Sequence, residues 1–180
     1  MLENLIKLLE YYKSLGERAF AQLDDEEIHL EPADQANSVA IIVKHLWGNM
    51  MSRWTNFLTE DGEKEWRNRD DEFESTIKSR QEFNEKWEEG WHAFLGALRA
   101  LNEEDLNKTV FIRNEGHTVM DAIHRQLAHY ASHIGQIIYL GKIIKGEEWQ
   151  TLSIAKGESK AYNQEKFSQE KRDQFFTDRA

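Results

Sequence analysis

The sequence contains no cysteine, one proline and only ten glycines in 180 residues. Without cysteine, the chain has no disulfide, thiolate zinc site, iron–sulfur cluster or cysteine nucleophile of its own. Any metal ion must therefore be held by histidine, aspartate or glutamate. Few positions force a helix to end, and no long window alternates as a strand does. We therefore predict an all-α fold.

Positive charge is also scarce. The chain has 23 lysines and arginines against 33 aspartates and glutamates, so its net charge is -10. This balance disfavours phosphate backbones and anionic membranes, so we expect neither a nucleic-acid nor a membrane partner. The longest aliphatic run, residues 39–43, is far shorter than the ~20 residues of a spanning helix. Residues 1–4 also lack the basic start of a signal peptide. We expect a cytoplasmic protein.

Four apolar stripes with helical spacing predict helices over residues 2–23, 38–58, 79–101 and 118–145. Either Asn37 or Ser38 is suited to cap the second helix, and Ser79 and Thr118 are suited to cap the third and fourth. The second and third helices are joined by a charged connection, residues 60–78. At ~3.3 Å per residue this connection can run back along a bundle, so the helices it joins are predicted to be parallel. The pattern therefore predicts a four-helix bundle with a long crossover.

Two further segments complete the predicted organisation. Residues 109–113 predict a short extended piece or hairpin arm before the turn sequence Asn-Glu-Gly. The bundle occupies residues 1–150. Residues 151–180 are mostly polar, with one short helix predicted around 164–176, and they form either a strap on the same domain or a frayed terminus.

Three of the seven histidines predict a metal site. His129 and His133 lie one turn apart on one face of the fourth helix, where two imidazoles can converge on one ion. Gln126 and Gln136 continue this polar stripe between apolar residues, so the face is at least partly inward and its groups need partners. His45 interrupts the apolar stripe of the second helix. Alone it resembles a hydrogen-bonded core histidine, but with the pair it completes a three-histidine site.

The other four histidines are predicted not to be ligands. His124 lies on the opposite side of the fourth helix from the pair, and His117 lies roughly 18 Å away along its axis. His29 lies in an acidic connection and His92 beside a tryptophan stripe. Two Glu-x-x-His pairs, at residues 26–29 and 89–92, have the spacing of carboxylate-bridged di-iron bundles. No inward glutamate on the second or fourth helix completes such a set, so we favour a single ion.

Polar residues near these histidines are candidates for a pocket wall or for hydrogen bonds to the ligands. On the helices they are Asn49, Ser52, Gln126 and Gln136. Ordinary hydrogen bonding between helices is the alternative. In the crossover, the candidates for substrate clamp or general base are Arg67, Arg69, Asp70, Asp71 and Glu72. These act on substrate only if the crossover covers the site, and the alternative is a solvated or salt-bridged segment.

The segments VKHL at residues 43–46 and HYASHIGQ at residues 129–136 resemble the DinB/YfiT-like superfamily of metal-binding four-helix bundles. One uncharacterised bacterial branch of that superfamily is more similar still. That similarity rests on NSVAIIVKH at 37–45, DGEK at 61–64, RNRDDEF at 67–73 and SIAKG at 153–157. Together these segments cover most of residues 1–160. Ala155 stands where the branch has a proline, which affects only the local turn.

The resemblance implies an up-down-down-up bundle with a divalent ion on His45, His129 and His133. Homodimers are common in the superfamily, so we expect a homodimer. Characterised members include thiol-dependent transferases and isomerases, and others are described as metal-dependent hydrolases. The branch itself has no assigned reaction, so the metal site transfers to this chain better than any activity.

Three neutral imidazoles leave a divalent ion with its full charge and an open position, as in catalytic zinc sites. Zinc, nickel and iron all accept imidazole ligands, and the sequence does not choose between them. Our leading hypothesis is a single-metal enzyme that activates a water molecule or a thiol cosubstrate toward a small-molecule substrate. The alternatives are a non-catalytic metal-binding or stress-related protein, and a bundle whose polar core is purely structural. No catalytic side chain is assigned.

Overall fold

The computed structural model describes residues 2–173 and 175–179, and it is mostly helical, as predicted. The helices are α1 (Leu2–Phe20), α2 (Val39–Trp54), α3 (Arg80–Arg99), α4 (Val119–Lys145) and α5 (Ser159–Phe167). Two short strands, β1 (Thr109–Ile112) and β2 (Glu115–Thr118), form an antiparallel hairpin. The small sheet lies where the sequence predicts an extended piece or hairpin arm.

The helices start at the predicted caps. Ser79 Oγ accepts a hydrogen bond from the Glu82 N–H at 3.1 Å, and Thr118 Oγ1 accepts one from the Asp121 N–H at 3.0 Å. Ser38 caps α2 in the same way. Each bond satisfies one of the backbone donors that the first turn of a helix leaves without a partner.

Several helix ends differ from the prediction. The first three helices end at Phe20, Trp54 and Arg99, two to four residues earlier than the apolar stripes indicate. After α2, Thr55 is extended with a ψ of 121° and Asn56 follows with a φ of +50°, so the helix stops although Phe57 is still apolar. The short helix predicted at 164–176 is instead α5, which begins just after Gly157 at a φ of +93°. Residues 174 and 180 of the tail lie outside the described residues.

The contacts between α2 and α3 show that these helices run in the same direction. Near the middle of both helices, the Trp47 Nε1–H donates to Glu89 at 2.7 Å. At its end, Trp54 lies 4.6 Å from Phe94, centroid to centroid. Later residues of α2 therefore contact later residues of α3. The connection between the two helices must return along the length of α2.

The helix α1 runs against α3, because its contacts advance in opposite directions. Lys13 Nζ is 2.9 Å from Glu88. Phe20, at the C-terminal end of α1, packs edge-on at 5.0 Å against Phe83, which precedes Glu88 in α3. The core between the helices is rich in aromatic rings, and Tyr130 from α4 is fully buried in it. Burial of such large apolar surfaces is the main stabilising term of the fold.

The start of the crossover is fixed to the hairpin. Both turn residues of the hairpin, Arg113 and Asn114, have positive φ, as a two-residue type I′ turn requires. Their backbone N–H groups both donate to Asp61, at 2.8 Å each. The Gly62 N–H also donates to the Phe111 carbonyl at 2.8 Å. These bonds therefore fix the path of the crossover where it leaves α2, beside the hairpin that precedes α4.

The segment after α4 runs across α1. Gln22 exchanges hydrogen bonds with the backbone of Gln150, and Arg18 donates to the Leu152 carbonyl at 3.3 Å. Near the C-terminus, Phe176 packs edge-on against Tyr11 at 5.1 Å. Among the described residues, no helix combines the length and the apolar character that crossing a membrane demands.

Candidate metal centre

Three histidine rings from two helices converge on one point. His45 projects from the middle of α2, and His129 and His133 project from successive turns of α4. The Nε2 atom of His129 lies 3.3 Å from Nε2 of His45 and 3.1 Å from Nε2 of His133. One ring nitrogen of each histidine lies within 4.8 Å of the others. In the part of the chain that the structure describes, no other such group of potential ligands occurs.

The spacing of these nitrogens suits a divalent ion. Tetrahedral sites with metal–imidazole bonds of about 2.0–2.1 Å place neighbouring nitrogens about 3.3 Å apart. A proton on His129 Nε2 can bridge only one of its two neighbours, whereas a cation accepts all three lone pairs. The donor set therefore fits a metal ion held by three imidazoles.

Two of the rings are oriented by hydrogen bonds on their far side. The Nδ1–H of His45 donates to Glu72 Oε2 at 2.9 Å, and the Nδ1–H of His133 donates to Gln136 Oε1 at 2.7 Å. Both acceptors place the ring proton on Nδ1 and leave the Nε2 lone pair free. His129 Nδ1 is buried, and no described group is its partner.

The environment favours neutral imidazole on α4. Burial, together with the neighbouring His133 and His45, lowers the pKa of His129 to about 3. Burial also lowers the pKa of His133, against the opposing effect of its bond to Gln136. Neutral imidazole is the form that binds a metal ion, so these ligands need no deprotonation at neutral pH.

The crossover supplies a buried carboxylate. A short 3₁₀ turn, Asp70–Phe73, places Glu72 beneath His45 and stacks the Phe73 ring on the imidazole at 4.8 Å. Arg67 donates two hydrogen bonds to the same carboxylate, from Nε at 2.7 Å and from Nη2 at 3.0 Å. Burial raises the pKa of Glu72, but the bonds from His45 and Arg67 outweigh it and lower the pKa below its usual value. Glu72 is therefore held as an anion.

The four helix residues predicted around the histidines have different places. Asn49 and Gln126 are bonded to each other at 2.7 Å and line a cavity beside the ligands. Gln136 orients His133. Ser52 does not line that cavity. Its Oγ donates to the Gly62 carbonyl at 3.0 Å and accepts from a crossover N–H, so it fastens the crossover to α2.

The crossover residues predicted to act on a substrate also lie in different places. Arg67 and Arg69 line the cavity. Asp71 instead pairs with the buried Lys44 at 2.7 Å, and Asp70 lies on the exposed side of the 3₁₀ turn. The four histidines predicted not to be ligands all lie outside the three-histidine cluster.

The cavity beside His45 and His129 has a volume of about 230 Å³. Three arginines that line it, Arg53, Arg113 and Arg125, were not predicted from the sequence. Arg125 stands four residues before His129 and extends the polar stripe of α4, so its spacing was a usable signal. Arg113 has no such signal, because it reaches the site from a hairpin turn far from the histidines in sequence.

Residues 1–158 match the model of one family, which is described as a protein of unknown function (DUF1572). No curated protein and no solved structure matches the chain.

Proposed function

We propose that this chain, which belongs to the DUF1572 family, is a metal-dependent enzyme acting on a small molecule. One divalent ion, zinc, nickel or iron, is held by His45, His129 and His133. The observation that carries the proposal is the convergence of three Nε2 atoms beside a cavity. When bound, the ion supplies Lewis-acid chemistry, lowering the pKa of a water molecule or a thiol cosubstrate.

The protein's own residues orient the donor set and shape the space around it. Glu72 and Gln136 hold His45 and His133 in the tautomer that presents Nε2. Such partners also increase the basicity of the ligand and typically affect metal affinity. Asn49 and Gln126 form one wall of the cavity, and Arg67 and Arg69, which also line it, are our candidates for contacting a substrate.

We further propose that the four long helices form a DinB-like bundle of up-down-down-up topology. The parallel course of α2 and α3 and the antiparallel course of α1 and α3 support this arrangement. A homodimer is the expected assembly, and light scattering during size-exclusion chromatography measures its mass directly. A mass of one chain would contradict it.

The metal site is tested by elemental mass spectrometry on untagged protein. We expect one ion per chain, lost in His45→Ala and His133→Ala. His124→Ala is the matched control, because this histidine is exposed on the same helix and lies outside the cluster. Retention of the ion in both cluster variants, or no binding after addition of zinc, nickel or iron(II), would contradict the assignment.

A second measurement separates catalysis from a non-catalytic metal site. The cavity beside the ligands favours an open coordination position, so we expect water relaxation measurements on a paramagnetic substituted ion to detect an exchangeable water. A coordination shell without exchangeable water would instead favour the alternative of a metal-binding protein without a reaction. With exchangeable water established, thiol transfer and hydrolysis are the reactions to screen.

A further inference from the structure

The cavity beside the histidines is strongly cationic, although the chain as a whole carries a net charge of -10. Five guanidinium groups from four separate segments surround it: Arg53 of α2, Arg67 and Arg69 of the crossover, Arg113 of the hairpin turn and Arg125 of α4. No acidic residue is among the described residues that line the cavity. The fold therefore creates a local positive potential at the cavity, although the chain as a whole is acidic.

Nearby carboxylates compensate only part of this charge. Glu72 and Glu63 pair with Arg67, and Glu63 also lies 3.3 Å from Arg113. The carboxylate of Asp61 is engaged by backbone N–H groups of the hairpin turn. Arg53, Arg69 and Arg125 form no ion pair with any residue that the structure describes. The cavity keeps an excess of positive charge.

Arg53 is the most informative of the three. Its residue is only 7% exposed, and its Nε and Nη1 are buried without a hydrogen-bond partner among the described residues. Arg125 and Arg67 repel its charge, and Glu63 attracts it without forming an ion pair. A buried cation is normally paired, because removal from water is otherwise strongly unfavourable. Because Arg53 also lines the cavity, an anion bound there would offset its charge.

We propose that this cavity binds a small oxoanion, a molecule bearing carboxylate or phosphate groups, which is the substrate class of the proposed enzyme. The catalytic part of this inference rests on the proposed function, whereas the anion site rests on the arginines alone. Guanidinium groups present planar forks of N–H donors that match carboxylate and phosphate oxygens. At about 230 Å³ the cavity is smaller than pockets for drug-sized ligands, which limits the ligand to a small molecule.

The test uses succinate and inorganic phosphate as probes on the metal-free 180-residue chain at low ionic strength. Both calorimetric titration and the melting temperature report binding. We expect at least one probe to bind and stabilise the protein, while the neutral succinamide does not. The stronger of the two probes identifies the preferred head group. Absence of binding by both anions would overturn the proposal.

Variants locate the site. Arg53→Gln and Arg125→Gln should each weaken binding about tenfold or more, because each removes a charged donor from the anion. Arg99→Gln is the control, since Arg99 pairs with Glu10 on the surface of α3 and its loss should leave binding unchanged. Without anion, Arg53→Gln should melt at or above the wild-type temperature, because it removes an unpaired buried charge. Equal affinity in both cavity variants and the control would overturn the proposal.

Metal content of the same proteins separates the two proposals. Arg53→Gln and Arg125→Gln should keep the metal ion while losing the anion. His133→Ala, which does not line the cavity, should lose the ion and keep the anion. If Arg53→Gln does not fold, Arg125→Gln and Arg69→Gln carry the test, since both residues are exposed.

Discussion

Glu72 and His45 are hydrogen-bonded at 2.9 Å although 27 residues separate them in the chain. This pair joins the crossover to the middle of α2 and places a charged acceptor behind a predicted metal ligand. An acceptor in this position fixes both the ring orientation and the tautomer of the ligand. The crossover is therefore a structural part of the candidate site rather than a mere connection.

Glu72→Gln is expected to lower metal affinity roughly 10- to 100-fold, because a neutral acceptor supports His45 less than a carboxylate does. Competition with a chelator of known affinity measures the change. Glu74→Gln is the matched control, since Glu74 is exposed and two residues further along the crossover. Equal affinities for Glu72→Gln and wild type would show that the carboxylate does not support the site.

Gly48→Ala is expected to disturb the same carboxylate from the other side. A Cβ at position 48 would overlap the side chain of Glu72, so the substitution must displace it. We expect a loss of roughly 1–3 kcal/mol in the free energy of unfolding, together with weaker metal binding. Urea denaturation and chelator competition measure the two effects.

Gly96→Ala provides the control for that substitution. Its Cβ meets nothing within 4 Å, and the position is an exposed one in α3. Here alanine should stabilise the protein by roughly 0.5–1 kcal/mol through its higher helix propensity. The steric explanation for Gly48 fails if both alanine variants change stability by the same amount.

Tyr130→Phe is expected to destabilise the fold without releasing the metal ion. The buried Tyr130 hydroxyl donates to Asn49 Oδ1 at 3.1 Å and accepts from the Trp54 Nε1–H at 3.1 Å. Removing it leaves buried polar atoms unsatisfied, at a cost of roughly 1–3 kcal/mol in unfolding free energy. Urea denaturation beside elemental analysis checks both parts. Loss of the ion with unchanged stability would reverse the assignment of this residue to the core.

Asp61 should make part of the stability depend on pH. Burial raises its pKa, but three backbone N–H donors, including those of Arg113 and Asn114, lower it below the ordinary value. A depressed carboxyl pKa stabilises the fold above the pKa of the unfolded chain, about 3.9, and this contribution disappears as the pH falls through the folded value. The stability difference between wild type and Asp61→Asn should therefore be largest at neutral pH and shrink below about pH 4.

A pH series of urea denaturation curves measures this difference. Other carboxylates titrate in both proteins, so their effects cancel in the comparison. A difference that stays constant from pH 7 to pH 3 would show that the Asp61 charge does not hold the hairpin turn.

The sequence predicts the helices and the three histidines because both signals are local. His129 and His133 share a face by helical spacing alone, and the interruption of an apolar stripe marks His45. Helix ends are less predictable. Phe57 is buried and continues the apolar pattern, yet the backbone has already turned at Asn56.

The partners of the site depend on tertiary structure. Nothing in the spacing of the crossover distinguishes Glu72, which is buried, from Asp70 and Asp71, which are exposed. Their difference arises from where the 3₁₀ turn docks on α2. The same holds for Arg53, whose missing partner becomes visible only when every neighbouring group has been placed.

The distance of 84 residues between His45 and His129 has a kinetic consequence. The donor set exists only after α2 and α4 have docked, because the unfolded chain holds these rings far apart. We expect this docking to be completed after the transition state of folding, because contacts so distant in sequence are costly to form early, so the ion stabilises the native state alone. Loading with metal should therefore slow unfolding in a denaturant jump and leave the refolding rate almost unchanged.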